Sequence, residues 1–355
     1  MISLRLSMNR PTPNPSQEGS RRSSATRQFP SWEGLGVGSW SQYLRKSEKG
    51  LLMNRKAVGQ ASRLPLAGSW ILCFLLASLC WTIAARAADR KIVLVAGHPS
   101  HGPGDHEFNA GVQLLHNCLQ GVPGVKSAFH LNGWPKDPHA FDGADTILFF
   151  MDGGAGHPII QGDHLKIIGD LMEKGVGLVC AHYAVEVPKD KGGPELLDWI
   201  GGYYEDRWST NPHWEADFQS LPKHPITRGV MPFKIRDEWY YNIRFRPEMK
   251  GITPILVGKP DDETRQGKSS SPRGPYPHIV AASGREEVLA WAVERSDGGR
   301  GFGFTGGHTH KNWDNENFRK VVLNALLWTA HAEVPANGVE CTVTDEDLKK
   351  NLDPK

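Results

Sequence analysis

From Lys91 onward the chain alternates short apolar runs with amphipathic stretches. Lys91 to Ala96 (KIVLVA) is apolar almost throughout and stops at Gly97, the pattern of a strand buried on both faces. Glu107 to Leu119 sets Val112, Leu115 and Leu119 at helical spacing. Val125 to Leu131 and Thr146 to Phe150 (TILFF) read as further strands, and Gly177 to Cys180 as a fourth. Between these last two, Gln161 to Lys174 is an amphipathic helix with Leu165, Ile168, Leu171 and Met172 on one stripe. Strands alternating with helices predict βαβ units and a mostly parallel sheet, so the expected class is α/β.

The pattern changes after Pro194. Leu196 to Ile200 reads as a short helix, and Trp208 to Phe245 is aromatic and irregular, with strands expected at Trp214–Phe218 and Asp237–Asn242. Ile255–Val257 and His278–Ala281 are expected to resume the sheet on either side of a polar loop, Pro260 to Pro277. Val288–Glu294 and Gly301–Thr305 complete it. A last helix, Asn317 to Ala330, turns Val321, Val322, Ala325 and Leu326 inward, and Asp345 to Lys355 is charged. No internal repeat is evident.

Upstream, residues 1–52 are rich in Ser, Arg, Pro and Gly without apolar period, the composition of a disordered or mis-annotated extension. Met53 opens a signal-peptide pattern: Arg55, Lys56 and Arg63, then an apolar run from Trp70 to Ala84, then Ala85-Arg86-Ala87. The domain expectation is therefore a signal peptide at 53–87, an α/β domain at 88–335 and a polar C-terminal tail at 336–355. The mature protein would be periplasmic or secreted, with no stable membrane insertion after cleavage. The net charge of +2 conceals a split, because residues 1–87 hold 12 basic and 3 acidic groups and the remainder is acidic. An acidic body argues against a nucleic-acid partner. Removal of Cys73 and Cys80 leaves Cys118, Cys180 and Cys341, an odd number that excludes a fully paired disulfide framework. Cys180, at the end of an apolar strand, reads as a buried inert thiol.

Ligands of open α/β sheets bind beyond the carboxyl ends of the strands. Here those positions are rich in histidine. His98, His101 and His106 follow the first strand, Asp152-Gly153-Gly154 and His157 the third, His182 the fourth, and His308 and His310 the last. One reading is a divalent metal such as zinc, held by His98, His182 and His308. The other is metal-free proton transfer by His182 and His308, favoured because no carboxylate or Cys stands at close spacing to complete a shell. Gly153 and Gly154 could offer N–H groups to an oxyanion or simply form a turn. Asp237-Glu238-Trp239-Tyr240-Tyr241, with Trp208, His213, Trp214 and Trp313, mixes carboxylates and rings as sugar sites do, and as ordinary packing does.

Gly306-Gly307-His308-Thr309-His310-Lys311-Asn312-Trp313, followed by Phe318-Arg319 and Asn324-Ala325-Leu326-Leu327-Trp328, resembles the signature end of ThuA-like (trehalose-utilisation) proteins. Ser100 to Phe108 and Asp237 to Tyr240 resemble other characteristic segments of that family, and the likeness runs from about Lys91 to His331. The resemblance implies a class I glutamine amidotransferase-like fold: flavodoxin-like, a mostly parallel open sheet with helices on both faces. Laid on the amidotransferase pattern, His308 falls at the partner-histidine position and His182 where the nucleophilic Cys belongs, so glutaminase activity is not expected. The resemblance points instead to carbohydrate catabolism, by a hydrolase, lyase or isomerase acting on a sugar, keto sugar or disaccharide. His182 and His308 would be catalytic. His98, His101, His106, Gly153, Gly154, Asp237, Glu238, Tyr240, His310 and Trp313 would bind substrate. A non-catalytic sugar-binding module and a His-ligated metal-dependent hydrolase are the alternatives. The expected partner is a small-molecule carbohydrate, and a homo-oligomer is left open.

The export reading predicts that protein recovered from its natural host begins at or near Ala88 when its mass is measured. Intact residues 1–52 on that protein would overturn the start at Met53.

Overall fold

The computed structural model describes residues 89–267 and 274–354. The expected extension at 1–52 and signal segment at 53–87 lie outside the described residues. In chain order the elements are β1 (Arg90–Ala96), α1 (Phe108–Leu119), β2 (Val125–His130), β3 (Thr146–Phe150), α2 (His164–Met172), β4 (Gly177–Ala181) and α3 (Gly193–Trp199). There follow β5 (Gly202–Tyr203), β6 (His213–Phe218), β7 (Phe233–Glu238), β8 (Arg244–Phe245), β9 (Ile252–Gly258), α4 (Asp262–Gln266) and α5 (Pro277–Val280). The chain closes with β10 (Glu287–Glu294), β11 (Arg300–Phe304), α6 (Glu316–Thr329) and α7 (Asp345–Lys349).

Seven strands form one sheet in the order β2-β1-β3-β4-β11-β10-β9. Only β10 runs against its neighbours. The fold is mixed α/β with a mostly parallel sheet, as the apolar pattern predicts. Successive residues of β1 face opposite sides of the pleat. Ile92, Leu94 and Ala96 pack with Val112 and Leu115 of α1 and Val321 and Val322 of α6. Val93 and Val95 pack on the other face with Ile168 and Met172 of α2 and Leu196 and Trp199 of α3. Burial on both faces is why these strands read as continuous apolar runs rather than alternating ones. At Gly303 of β11 a Cβ would overlap the Trp291 ring of β10, so the close approach of these two strands requires glycine there.

Three segments depart from expectation. His278–Ala281 is not a strand: Pro277–Val280 forms a helical turn with Pro277 in its first positions. Proline suits that place because the first-turn N–H would be unused anyway. The strand expected at Asp237–Asn242 lies earlier, at Phe233–Glu238, paired antiparallel with β6. Residues 336–355, expected as a polar tail, are held on the domain. Val339 and Leu348 are buried there, and Cys341 is bonded to Cys118 of α1. Among the described residues, Cys180 is the buried free thiol. No helix among the described residues is long and apolar enough to cross a membrane.

The Cys118–Cys341 bond closes a separation of 223 residues, which in the chain-entropy picture restricts the unfolded state strongly. Cys341→Ser should lower the unfolding free energy by about 2–5 kcal/mol in denaturant titration. An unchanged midpoint would show that packing of the tail, and not the covalent link, secures it.

Candidate metal centre

Three loops at the carboxyl ends of β1, β4 and β11 converge with the end of β7. His182 opens the turn that leaves β4 and has φ 54°, a left-handed conformation uncommon for a residue with a Cβ. Its Nδ1 lies 3.0 Å from the Thr305 carbonyl, which can only accept, so Nδ1–H donates. Neutral His182 therefore directs the Nε2 lone pair away from that carbonyl. There Nε2 meets His106 Nε2 at 3.0 Å, the Tyr240 hydroxyl at 3.2 Å and Glu238 Oε2 at 3.5 Å.

His106 reaches the same point from the loop after β1. Its φ is 49°, and its backbone N–H donates to the His308 carbonyl at 2.9 Å. Its Nδ1 faces Asp152 Oδ1 at 2.9 Å, and a carboxylate again fixes the proton on that nitrogen. Glu238 Oε2 lies 3.1 Å from His308 Nδ1, and Glu238 Oε1 accepts from Asn211 at 3.1 Å. One ligand atom from each of His106, His182, Glu238 and His308 lies within 4.8 Å of the others, and all four residues are buried. A second group, His101, His106 and Asp152, adjoins it toward solvent.

Electrostatics separates the four. Burial pushes His182 well below the usual imidazole value, with His106 and His308 adding repulsion and Glu238 opposing. His308 is also penalised by burial, but its hydrogen bond to Glu238 and the charges of Glu238, Asp105 and Asp237 raise it above 6.5. Burial works against the Glu238 charge too, yet His308 and His182 hold the carboxyl below its ordinary range. Nearby, burial pushes Glu186 up to about 8, helped by Asp206 and Glu238. Glu186 is therefore a carboxyl group that keeps its proton near neutral pH.

The expected site residues fall into three sets. His106, His182, Glu238, Tyr240 and His308 come together, and the His101 ring lies 3.6 Å from the His106 ring at the rim. Asp237 and His310 stand behind. Asp237 accepts from the N–H groups of Gly307 at 2.7 Å and Thr309 at 3.1 Å, fixing the loop that carries His308. His310 Nε2 donates to the Leu348 carbonyl.

The rest are elsewhere. His98 is exposed with its ring against Gly133 and stands outside the converging group, in which His106 and Glu238 join His182 and His308. Gly154 donates its N–H to the Glu186 carbonyl at 2.9 Å, and Gly153 is pressed against the Tyr183 and Glu186 carbonyls, so this pair is a packed turn. Trp313 is core, buried against Phe150 and Phe318.

Residues not singled out for the site also enter. Asp152 and Glu186 follow β3 and β4, so strand-end position alone marked them. His213 stands opposite Glu238 in the β6–β7 register, with its ring 4.8 Å from that of His308. Its only sequence signal was membership of the aromatic-polar stretch.

The ThuA family profile, described as trehalose utilisation, matches residues 102–329. No curated protein matches the chain. A solved ThuA-like protein from Bacteroides uniformis shares 15% identity at a TM-score of 0.49, covering 68% of this chain and 92% of its own. One from Parabacteroides merdae shares 18% at 0.48, covering 72% and 94%.

The His308–Glu238 pair has a defined pH window. Because His308 is raised, its contribution to stability is full below its unfolded value of about 6.5 and fades as pH climbs through the higher folded value. Glu238, being lowered, contributes above about 4.3 and loses that contribution as pH falls through its folded value. Glu238→Gln should thus cost more stability at pH 6 than at pH 9, and should lower the His308 titration midpoint seen by NMR. Equal losses at the two pH values would refute the pairing.

Proposed function

The chain belongs to the ThuA (trehalose utilisation) family, and from that premise we propose that it is an exported enzyme of carbohydrate catabolism. Its working centre is a divalent cation such as zinc held by His106, His182, Glu238 and His308. The substrate is a disaccharide of the trehalose type or an oxidised derivative of one.

The observation that carries the metal reading is the 3.0 Å approach of His106 Nε2 to His182 Nε2. Each ring has its Nδ1 proton committed to an acceptor, Asp152 in one case and the Thr305 carbonyl in the other. Two neutral rings so tied would point lone pairs at each other in a buried space. A cation between them removes that repulsion. A proton could do the same, but burial opposes charging His182. Glu238 supplies the anionic ligand, and the donor set of imidazoles with one carboxylate suits zinc. Acceptors behind ligating histidines orient the rings and raise their basicity, the role Asp152 and Thr305 would have here.

The bound ion would polarise a substrate oxygen as a Lewis acid. The chain's own groups handle protons around it. Glu186, protonated near neutral pH, would give a proton to a sugar oxygen, and the Tyr183 ring stands 6.0 Å from that of His106. The Tyr240 hydroxyl, against His182, can donate to a substrate oxygen. Thiol chemistry has no place in this scheme, because Cys180 is buried and its thiol is pushed far up by burial.

Chelator-stripped protein should take up one zinc ion per chain in calorimetric titration. His182→Ala should abolish that uptake, and Asp152→Asn should weaken it about 10–100-fold. Affinity should fall with pH as His308, whose value lies above 6.5, takes up a proton, while His182, held neutral by burial, stays available as a ligand. Turnover of trehalose-type disaccharides should stop on chelation and return with metal. Full turnover without metal would move the reading to histidine and glutamate acid–base chemistry alone.

A further inference from the structure

We infer that the C-terminal segment from Cys341 to Asp353 is a clamp that positions the two loops carrying His106 and His308. The inference rests on the metal-centre reading above, and it concerns residues outside the 102–329 stretch that the family profile matches.

The two loops are stitched to each other. His106 N–H donates to the His308 carbonyl and His310 N–H to the Gly104 carbonyl, each at 2.9 Å, and Asp105 pairs with Thr309 in a short bridge. Each loop is also tied to the C-terminal segment. Glu107 divides its carboxylate between them: Oε1 accepts from Gly104 N–H at 2.8 Å and Oε2 from Asp353 N–H at 2.6 Å. Asp353 Oδ1 in turn accepts from Asn109 at 2.5 Å. The other loop is held through His310, whose Nε2 donates to the Leu348 carbonyl at 3.1 Å. Glu107, His310 and Asp353 are all buried, where such bonds are little weakened by water. The Cys118–Cys341 bond fastens the segment to the far end of α1, so it touches that helix at both ends.

The arrangement meets a specific need. His106 adopts a left-handed backbone conformation that it does not favour by itself, and surrounding structure must hold it there. Metal ligands must also be kept within about 0.5 Å of their working geometry. The Asp353 side chain is a positioning group that acts through Asn109, while its backbone N–H holds Glu107.

The test uses the full mature chain with Co²⁺ as a spectroscopic probe of the ligand set. Asp353→Ala should weaken Co²⁺ binding about 10–100-fold and alter the visible spectrum of the bound ion. Asp353→Asn keeps an oxygen that can accept from Asn109 and should restore both to near wild type. Asn109→Ala gives a second route should Asp353→Ala not fold, with the same expected loss. Wild-type affinity and spectrum in folded Asp353→Ala would overturn the clamp. If wild-type protein binds neither Co²⁺ nor zinc, the metal-centre reading has failed. The clamp is then decided by amide hydrogen exchange at His106 and His310. Faster exchange in Asp353→Ala sustains it, and unchanged exchange overturns it.

Discussion

Two imidazole nitrogens 3.0 Å apart on buried rings are the constraint around which the rest of this site is arranged. Neither ring can turn away without giving up a bond. His106 would lose Asp152, and His182 would lose the Thr305 carbonyl. Both also depend on backbone conformations with positive φ, which cost energy and persist only when the surroundings over-determine them. The surroundings here are a mostly parallel sheet with buried central strands beneath and a web of loop hydrogen bonds above.

The sheet does most of the placing. Adjacent parallel strands end at one edge, so the residues that follow β1, β3, β4 and β11 are neighbours in space whatever their separation in sequence. His106, Asp152, His182 and His308 meet for that reason. The candidate ligand from outside this scheme is Glu238, delivered by the β6–β7 hairpin, whose Trp214, Phe218, Phe233 and Ile235 pack into the core shared with α1 and α6. Asp237, the residue before it, accepts from the loop that carries His308. The Asp237-Glu238 dipeptide thus contributes a loop anchor with its first carboxylate and a ligand candidate with its second.

Charge is distributed so that groups of one kind behave differently. His182 is driven neutral by burial, while His308 is kept chargeable by Glu238. Glu238 stays ionised between its two histidines, while Glu186, facing Asp206 and Glu238, tends to keep its proton. Titratable groups pushed apart in this way are the common basis of acid and base assignments in active sites.

The apolar pattern by itself determined the class of fold and pointed to the sheet edge where the candidate site lies. Period and run length reflect burial on two sheet faces, a local property, and the edge beyond the strands follows from the architecture. The family segments around His106, Asp237–Tyr240 and His308 were likewise legible, because they are contiguous. Tertiary structure decided which histidines count. His98 and His106 follow the same strand and look alike in sequence, yet the loop's left-handed turns carry one inward and leave the other against Gly133. It also decided the carboxylate: no acidic residue near His182 or His308 in sequence completes the shell, since Glu238 arrives from a hairpin whose strand begins earlier than the residue pattern suggests. The pairing of Cys118 with Cys341 and the seating of the C-terminal segment belong to the same group, because both depend on contacts between residues more than two hundred positions apart.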